Sequence, residues 1–173
     1  MRQATGDYAG AAQYYLAALD MYRDLGDRLG QANARAQLAH VRGLTGEYES
    51  AARDLEESIG TYQELGSRGN QAWVLNHYAA VIAAAGDPCR AIAIYRDTLD
   101  LAREVQQPDD EAAALHGLGE NYLRTGNCRD GVTRLRQALE IYQRLGMPEA
   151  EQVTARLAEI GAPEPSQGSG VGH

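Results

Sequence analysis

The chain has 173 residues, which is long enough for one domain or a short array of repeats. Hydrophobic residues make up 44% of it, as is usual for a globular protein. A formal net charge of −8 argues against direct nucleic-acid binding, and no apolar run approaches the roughly 20 residues that span a membrane. The start has no signal-peptide pattern and two cysteines argue against a disulfide scaffold, so we expect a cytoplasmic protein. All 16 basic residues are Arg, which excludes lysine-dependent chemistry and indicates a GC-rich bacterial source.

The first predicted element is a helix over residues 8–25, which follows a turn directly. The turn is Thr5-Gly6-Asp7, in which Asp7 is suited to cap the helix. Apolar residues then recur at spacings of three and four, as on one face of a helix: Ala11, Tyr15, Ala18, Leu19, Tyr22 and Leu25. Such a turn normally joins two helices, yet only four residues precede it. We therefore expect this helix to be the second half of a repeat whose first half is missing.

The turn returns every 40 residues, and the positions around it keep their character. Gly6 recurs as Gly46, Gly86 and Gly126, where a helix ends and a left-handed residue is favoured. Small and large positions recur likewise, for example Ala11/Ala51/Ala91/Gly131 and Leu19/Ile59/Leu99/Leu139. The pattern predicts a second helix per repeat, over 28–44, 70–84 and 109–124, within repeats that span 28–65, 70–105 and 109–145.

A last helix is predicted over residues 148–160. Pro148 suits its first turn, and Glu149 and Glu151 place negative charge at the positive end of the helix dipole. Residues 162–173 are rich in Gly, Pro and Ser, which is typical of segments that form no packed core. This tail is therefore predicted to be disordered.

The fourth copy carries the clearest motif, "LGENYLRTGN" at residues 118–127. Leu118, Gly119 and Tyr122 fit the pattern L-G-x-x-Y, and the helix that follows supplies the remaining positions: Gly131, Leu135 and Ala138. On these residues the chain resembles a tetratricopeptide repeat (TPR) array of the 40-residue kind. The resemblance implies an all-α, right-handed α-solenoid of antiparallel helix pairs over residues 1–161. It would have about eight helices: an orphan helix B, three A/B pairs and a capping helix A. Gly119 and Gly131 are expected to be small because the two helices of a repeat cross there at close range.

In this family helix A lines the concave face, which usually holds a peptide or a folded partner. The resemblance implies a groove formed by helix-A positions: Asn33, His40, Trp73, Asn76, His116, Glu120 and Arg124. Trp73 is the only Trp, and aromatic anchors often dominate binding energy; the alternative is a partly buried packing residue. Asn76 could hydrogen-bond an extended peptide backbone through both ends of its amide. The family's clamp for carboxylate tails uses Lys and Asn, and a chain without Lys excludes that ligand class.

No pattern predicts catalysis, a metal site or a cofactor. The histidines lack the i, i+4 spacing of a helical metal site, and neither a nucleophile elbow nor a complete dinucleotide fingerprint occurs. Arg35 and Arg42 occupy positions that are apolar or aromatic in the other copies, so each needs a carboxylate partner. We expect Asp20 or Asp24 on the first helix to supply it, with an anion site as the alternative.

The first helix differs from its copies on one face. In the second copy this face is charged and is interpreted as solvated: Asp54, Glu56 and Glu57. The same positions in the first helix are Tyr14, Leu16 and Ala17, which make helix 8–25 apolar nearly all round, as buried helices are. We predict that these three residues form an interaction surface. A missing helix A, another domain or a second copy of the chain in a homodimer would cover it.

The leading functional hypothesis is a non-catalytic scaffold that binds a protein or peptide, within a larger multidomain protein. An alternative is a signal-receiving or autoregulatory segment of a bacterial transcription regulator. Arg-rich, Lys-free arrays of this kind resemble the C-terminal regions of actinobacterial transcription regulators. A further alternative is a self-associating module that uses the apolar first helix.

Overall fold

A computed structural model describes residues 7–161 of the protein, and this part of the chain contains eight α-helices and no strand. The helices are α1 (Tyr8–Asp24), α2 (Arg28–Leu44), α3 (Tyr48–Glu64), α4 (Arg68–Ala84), α5 (Pro88–Glu104), α6 (Pro108–Arg124), α7 (Cys128–Leu145) and α8 (Glu149–Gly161). The predicted all-α solenoid of helix pairs is confirmed. The predicted tail over 162–173 and the turn residues Thr5 and Gly6 lie outside the described residues. Among the helices of residues 7–161, none combines the length and the hydrophobicity that a membrane span requires.

The turns between the helices repeat as regularly as the helices do. Helices α1 to α7 begin 20 residues apart, because a second turn divides each 40-residue repeat. Glycine holds the left-handed backbone at six of the seven turns: Gly26, Gly46, Gly66, Gly86, Gly126 and Gly146. Gln106 takes this conformation at the remaining turn, with φ of 58°. Asp side chains accept a hydrogen bond from a first-turn backbone N–H in three helices, capped by Asp7, Asp27 and Asp87.

Side chains between two layers of helices hold the array together. Each helix packs against the next along the chain, and α4 also packs against both α2 and α6. The first helices of the three pairs therefore form one layer. The largest side chains buried beneath them are Tyr62, Leu55, Leu115, Leu118, Leu135, Val74 and Val153. Burying one such aliphatic side chain stabilises the fold by about 1.5–3 kcal/mol, more than any single helix propensity.

The close crossing predicted at Gly119 and Gly131 is confirmed. A Cβ added at Gly119 would lie 2.7 Å from Leu135 Cγ and 3.1 Å from the Gly131 carbonyl oxygen. A Cβ added at Gly131 would lie 3.0 Å from the Gly119 carbonyl oxygen. The two glycines thus let the backbones of α6 and α7 approach each other directly.

Arg35 and Arg42 both pair with α3. Arg35 Nη1 lies 2.7 Å from Glu57 Oε2, and the Arg42 guanidinium pairs with the Asp54 carboxylate. The partners predicted on α1 are therefore wrong: Asp20 and Asp24. The physical reason is that α2 and α3 pack as antiparallel neighbours, so that the carboxylates of α3 lie directly across from the two arginines.

Asp54 is the exception on the charged face of α3 that the sequence predicts to be solvated. Its side chain is largely buried against α2, whereas Glu56 and Glu57 are exposed and Glu57 reaches α2 through Arg35. The positions of α1 that correspond to Asp54 and Glu57 are Tyr14 and Ala17. They therefore point to the side of α1 on which a preceding helix A would pack.

Candidate binding groove

Two adjoining cavities lie where α4 and α6 run side by side. We name them after one residue each: the Trp73 pocket, of about 320 Å³, and the Glu120 pocket, of about 390 Å³. They share Ala80, Tyr95 and Ala113 as lining residues. The two alanines, one on each helix, leave the space that larger side chains would fill. The cavities therefore form one continuous groove on the helix-A layer.

Five of the seven predicted groove residues line one of the two cavities, and two line neither. Trp73 and Asn76 line the Trp73 pocket. The Glu120 pocket brings together His116, Glu120 and Arg124. The two predicted residues of α2 line neither cavity: Asn33 and His40. Their binding roles stay predictions.

Trp73 is both a packing residue and a groove residue. It is half-buried and packs against the core, and it also forms a wall of the Trp73 pocket. Its ring centroid lies 4.3 Å from that of His77 in an edge-to-face arrangement, and the His77 centroid lies 4.6 Å from that of His40. A row of three rings therefore joins α4 to α2. His77 was not among the predicted groove residues, although its i, i+4 spacing from Trp73 places both residues on one face of the helix.

Burial keeps the two histidines of this row uncharged at neutral pH. It lowers the pKa of His77 to about 4, and the neighbouring His40 adds to the effect. Burial also lowers the pKa of His40. The ring row is therefore a neutral aromatic surface and adds no positive charge to the groove.

Asn76 binds within the protein, which corrects its predicted role. Its side chain is only 8% exposed, and Nδ2 donates to Asp110 at 3.1 Å from the carbonyl oxygen and 3.2 Å from Oδ1. Because both contacts use the NH₂ group, the amide cannot offer both of its ends to a peptide. Asn76 Oδ1 is buried and has no hydrogen-bond partner within residues 7–161.

Asp109 and Asp110, in the first turn of α6, also line the Trp73 pocket and were not among the predicted groove residues. Asp110 is 6% exposed, and burial raises its pKa to about 6. Repulsion from Asp109 acts in the same direction, whereas the hydrogen bond from Asn76 opposes it. Neither carboxylate forms an ion pair with any residue in the described part of the chain.

The charges of the Glu120 pocket are, by contrast, satisfied internally. Glu120 Oε1 accepts a hydrogen bond from Arg156 Nε of α8 at 3.1 Å. Arg124 Nη1 donates to the Ala83 carbonyl oxygen at 2.9 Å. His116 packs edge-to-face on Tyr142 with centroids 6.1 Å apart, and burial lowers its pKa. The Glu120 pocket would therefore contact a ligand mainly through the shape of its surface, because Glu120 and Arg124 already have partners within the protein.

Outside the groove, Asn33 and the first helix can be placed. Asn33 is exposed on α2, and its Oδ1 accepts a hydrogen bond from the Tyr62 hydroxyl at 2.7 Å. Tyr14 is 70% exposed and Leu16 is 43% exposed, and Ala17 is exposed beside them. No cluster of three or more metal-binding side chains occurs within residues 7–161.

Residues 70–144, which hold most of α4 to α7, match the family model of the tetratricopeptide repeat. These residues therefore form tetratricopeptide repeats, and the helices on either side of them continue the same arrangement of helix pairs. A comparison of the chain with curated proteins finds no match. The resemblance to actinobacterial regulators stays a prediction, because the family match concerns the repeats alone.

Solved structures with the same fold include two Rap proteins and BtubC. The apo form of RapI is 14% identical with a TM-score of 0.75, over 89% of this chain and 43% of RapI. BtubC (BKLC) from P. vanneervenii is 22% identical with a TM-score of 0.76, over 92% of this chain and 67% of BtubC. A Rap protein complexed with competence and sporulation factor is 16% identical with a TM-score of 0.73, over 88% of this chain and 45% of that protein. The TPR array thus spans less than half of either Rap chain, and these likenesses concern the fold.

Proposed function

We propose that the protein is a non-catalytic scaffold that binds a protein or peptide in the groove between α4 and α6, as part of a larger protein. The observation that carries this proposal is the position of Trp73. This residue packs against the core, and it also lines an open cavity. A Rap protein of similar fold forms a complex with competence and sporulation factor, which supports the use of such an array for binding.

The groove suits an extended chain more than a compact small molecule. Two cavities of about 320 and 390 Å³ meet at Ala80 and Ala113, so neighbouring side chains of one ligand could occupy both. Aromatic side chains fixed by packing supply much of the energy in such contacts, because little conformational entropy is lost when they bind. Trp73, held by His77 and by the core, is that anchor.

The test is a selection of peptides followed by a comparison of matched aromatic variants. Peptides enriched from a randomised phage-displayed library on the full chain are measured against Trp73→Ala and against Tyr14→Ala, whose side chain lies on α1 outside the groove. We expect Trp73→Ala to weaken binding at least about tenfold, the loss expected of an aromatic anchor, and Tyr14→Ala to leave it unchanged. Circular dichroism melts would show whether both variants are folded. Peptides that bind folded Trp73→Ala as well as the wild type, or a library without enrichment, would contradict the proposal.

We also propose that the α1 surface formed by Tyr14, Leu16 and Ala17 contacts another helix, and that a second copy of the chain can provide it. The supporting observation is the exposure of Tyr14, at 70%, at a position that is an ion-pairing aspartate in α3. Sedimentation of the wild type and of Leu16→Glu tests self-association. We expect the wild type to associate and the variant to be a monomer. Monomers in both cases would rule out the second copy.

A further inference from the structure

The polar groups of the Trp73 pocket have one chemical character. Asp109 contributes a carboxylate, Asp110 contributes a carboxylate that accepts a hydrogen bond from Asn76 Nδ2, and Asn76 contributes a buried Oδ1 that has no partner within residues 7–161. All three are hydrogen-bond acceptors. A ligand that satisfies them must therefore donate hydrogen bonds, and a positive charge would compensate the two carboxylates.

The helix dipole accounts for only part of this arrangement. Acids in the first turn of α6 are favourable because they face the unpaired N–H groups of the helix end. That effect needs no burial, yet Asp110 is almost completely buried without a cation beside it. A buried charge without a partner destabilises a protein, which makes Asp110 an unusual choice for a merely structural position.

The amide of Asn76 is the independent observation. Its orientation is fixed, because rotating it by 180° would place its oxygen against two oxygens of Asp110. Oδ1 therefore remains without a partner in a side chain that is more than nine-tenths buried. Leaving such an acceptor unsatisfied destabilises the folded protein, and a ligand that donates a hydrogen bond would remove this cost.

We propose that the Trp73 pocket binds a cationic group of the peptide, with Asp110 and Asn76 Oδ1 accepting its hydrogen bonds and Trp73 beside it. The group is the guanidinium or ammonium of an Arg or Lys side chain, or a free amino terminus. This inference rests on the proposed function of the groove, and it specifies what the groove selects.

The aromatic wall and the overall charge fit the same ligand. A cation close to the face of a tryptophan is attracted electrostatically by the ring. Guanidinium and ammonium groups carry five and three donors respectively, enough for all the acceptors of the pocket. The net charge of −8 attracts cationic peptides at long range, and neutral His77 does not repel them.

The proposal also predicts how binding depends on pH. The titratable groups that line the pocket are Asp110 and Asp109 on α6, His77 on α4 and Tyr95 on α5. Burial lowers the pKa of His77 and raises that of Tyr95, so both stay neutral between pH 5 and 8. Burial raises the pKa of Asp110 to about 6, and a bound cation favours its charged form. Affinity should therefore fall as the pH drops from 7.5 to 5.

The experiment measures peptide mixtures on the full chain through the fluorescence of Trp73, the only Trp. Each hexapeptide mixture has one position fixed as Arg, Lys, Gln or Glu and the others randomised, at constant ionic strength, with free or acetylated amino termini. The variants are Asp110→Asn, Asp109→Asn and the control Asp100→Asn. Asp100 is an exposed carboxylate of α5, so its replacement changes the net charge equally outside the pocket.

We expect the Arg or Lys mixtures, or the free amino termini, to bind at least about tenfold more tightly than the Glu mixture at pH 7.5. Asp110→Asn should remove about tenfold of this affinity and its pH dependence, whereas Asp100→Asn should change the affinity less than about twofold. The melting temperature of Asp110→Asn should be no lower than that of the wild type, because the substitution removes a buried charge. If Asp110→Asn does not fold, the affinity of Asp109→Asn and the pH dependence of wild-type binding test the proposal instead.

Mixtures that bind equally well whatever their charge would overturn this inference and leave the scaffold intact. A groove that binds no mixture at all would overturn both. Loss of affinity that is the same in Asp100→Asn and Asp110→Asn would show that only the overall charge of the protein matters.

Discussion

Replacing Gly119 by Ala is expected to destabilise the array, although alanine is the better helix former. Helix propensity alone would favour the variant by about 1 kcal/mol. The added Cβ would lie 2.7 Å from Leu135 Cγ and 3.1 Å from the Gly131 carbonyl oxygen, so Leu135 must change rotamer or α6 and α7 must separate. Overpacking of a well-packed crossing costs about 1–3 kcal/mol. We therefore expect a net loss of about 1 kcal/mol in the free energy of unfolding.

Gly60 in α3 provides the matched control, because a Cβ added there would have no atom within 4 Å. Gly60→Ala should stabilise the protein by about 0.5–1 kcal/mol through propensity alone. Urea unfolding followed by circular dichroism gives both values, and their difference, about 2 kcal/mol, isolates the contact between α6 and α7. If Gly119→Ala is as stabilising as Gly60→Ala, the two helices are not in close contact and the reasoning is refuted.

Three further predictions concern a turn, an ion pair and a histidine. Gln106→Gly should raise the melting temperature by about 2–4 °C, because it relieves a left-handed backbone with φ of 58°; a fall would mean that the Gln106 side chain contributes more than the strain costs. Arg42→Ala should cost about 1–2 kcal/mol in urea unfolding, since it leaves the largely buried Asp54 unpaired, whereas Arg28→Ala at an exposed pair should cost under about 0.5 kcal/mol. Equal losses would contradict the difference in burial. Burial lowers the pKa of His77 to about 4, below the 6.5 of an unperturbed histidine, so the unfolded chain binds more protons between these values. Stability should fall as the pH drops through this window, by up to about 3 kcal/mol, and His77→Gln should reduce the slope; an unchanged slope would show that His77 is not the group responsible.

The helices and their turns could be predicted because local chemistry decides them. Glycine at the turn, aspartate at the cap and apolar spacings of three and four act within a few residues of one another. The crossing at Gly119 and Gly131 was predictable for a related reason, since only the smallest residue permits such an approach. The 40-residue period was predicted, but its division into two 20-residue halves is less regular in the sequence. The turns at Gly26, Gly66 and Gly146 carry glycine, whereas the equivalent turn at Gln106 does not.

The candidate site was less predictable, because its contacts join distant residues. Asn76 and Asp110 are 34 positions apart. No residue near either of them in the sequence indicates that the NH₂ group of Asn76 donates to Asp110. His40 and His77 stand at different positions within their repeats, so only the packing of α2 against α4 brings their rings together. The partners of Arg35 and Arg42 were assigned to the wrong helix, since acids on both sides of α2 satisfied the same pattern.

The walls of the Trp73 pocket come from α4, α5, α6 and the turn before α8, which carries Met147. In a repeat array each unit contacts only its neighbours, so the ends can open while the middle remains folded. A ligand held by Trp73 and Asp110 would contact two successive repeats at once and oppose their separate opening. Amide hydrogens of α4 and α6 that exchange independently in the free protein would then exchange together, at a rate set by release of the ligand.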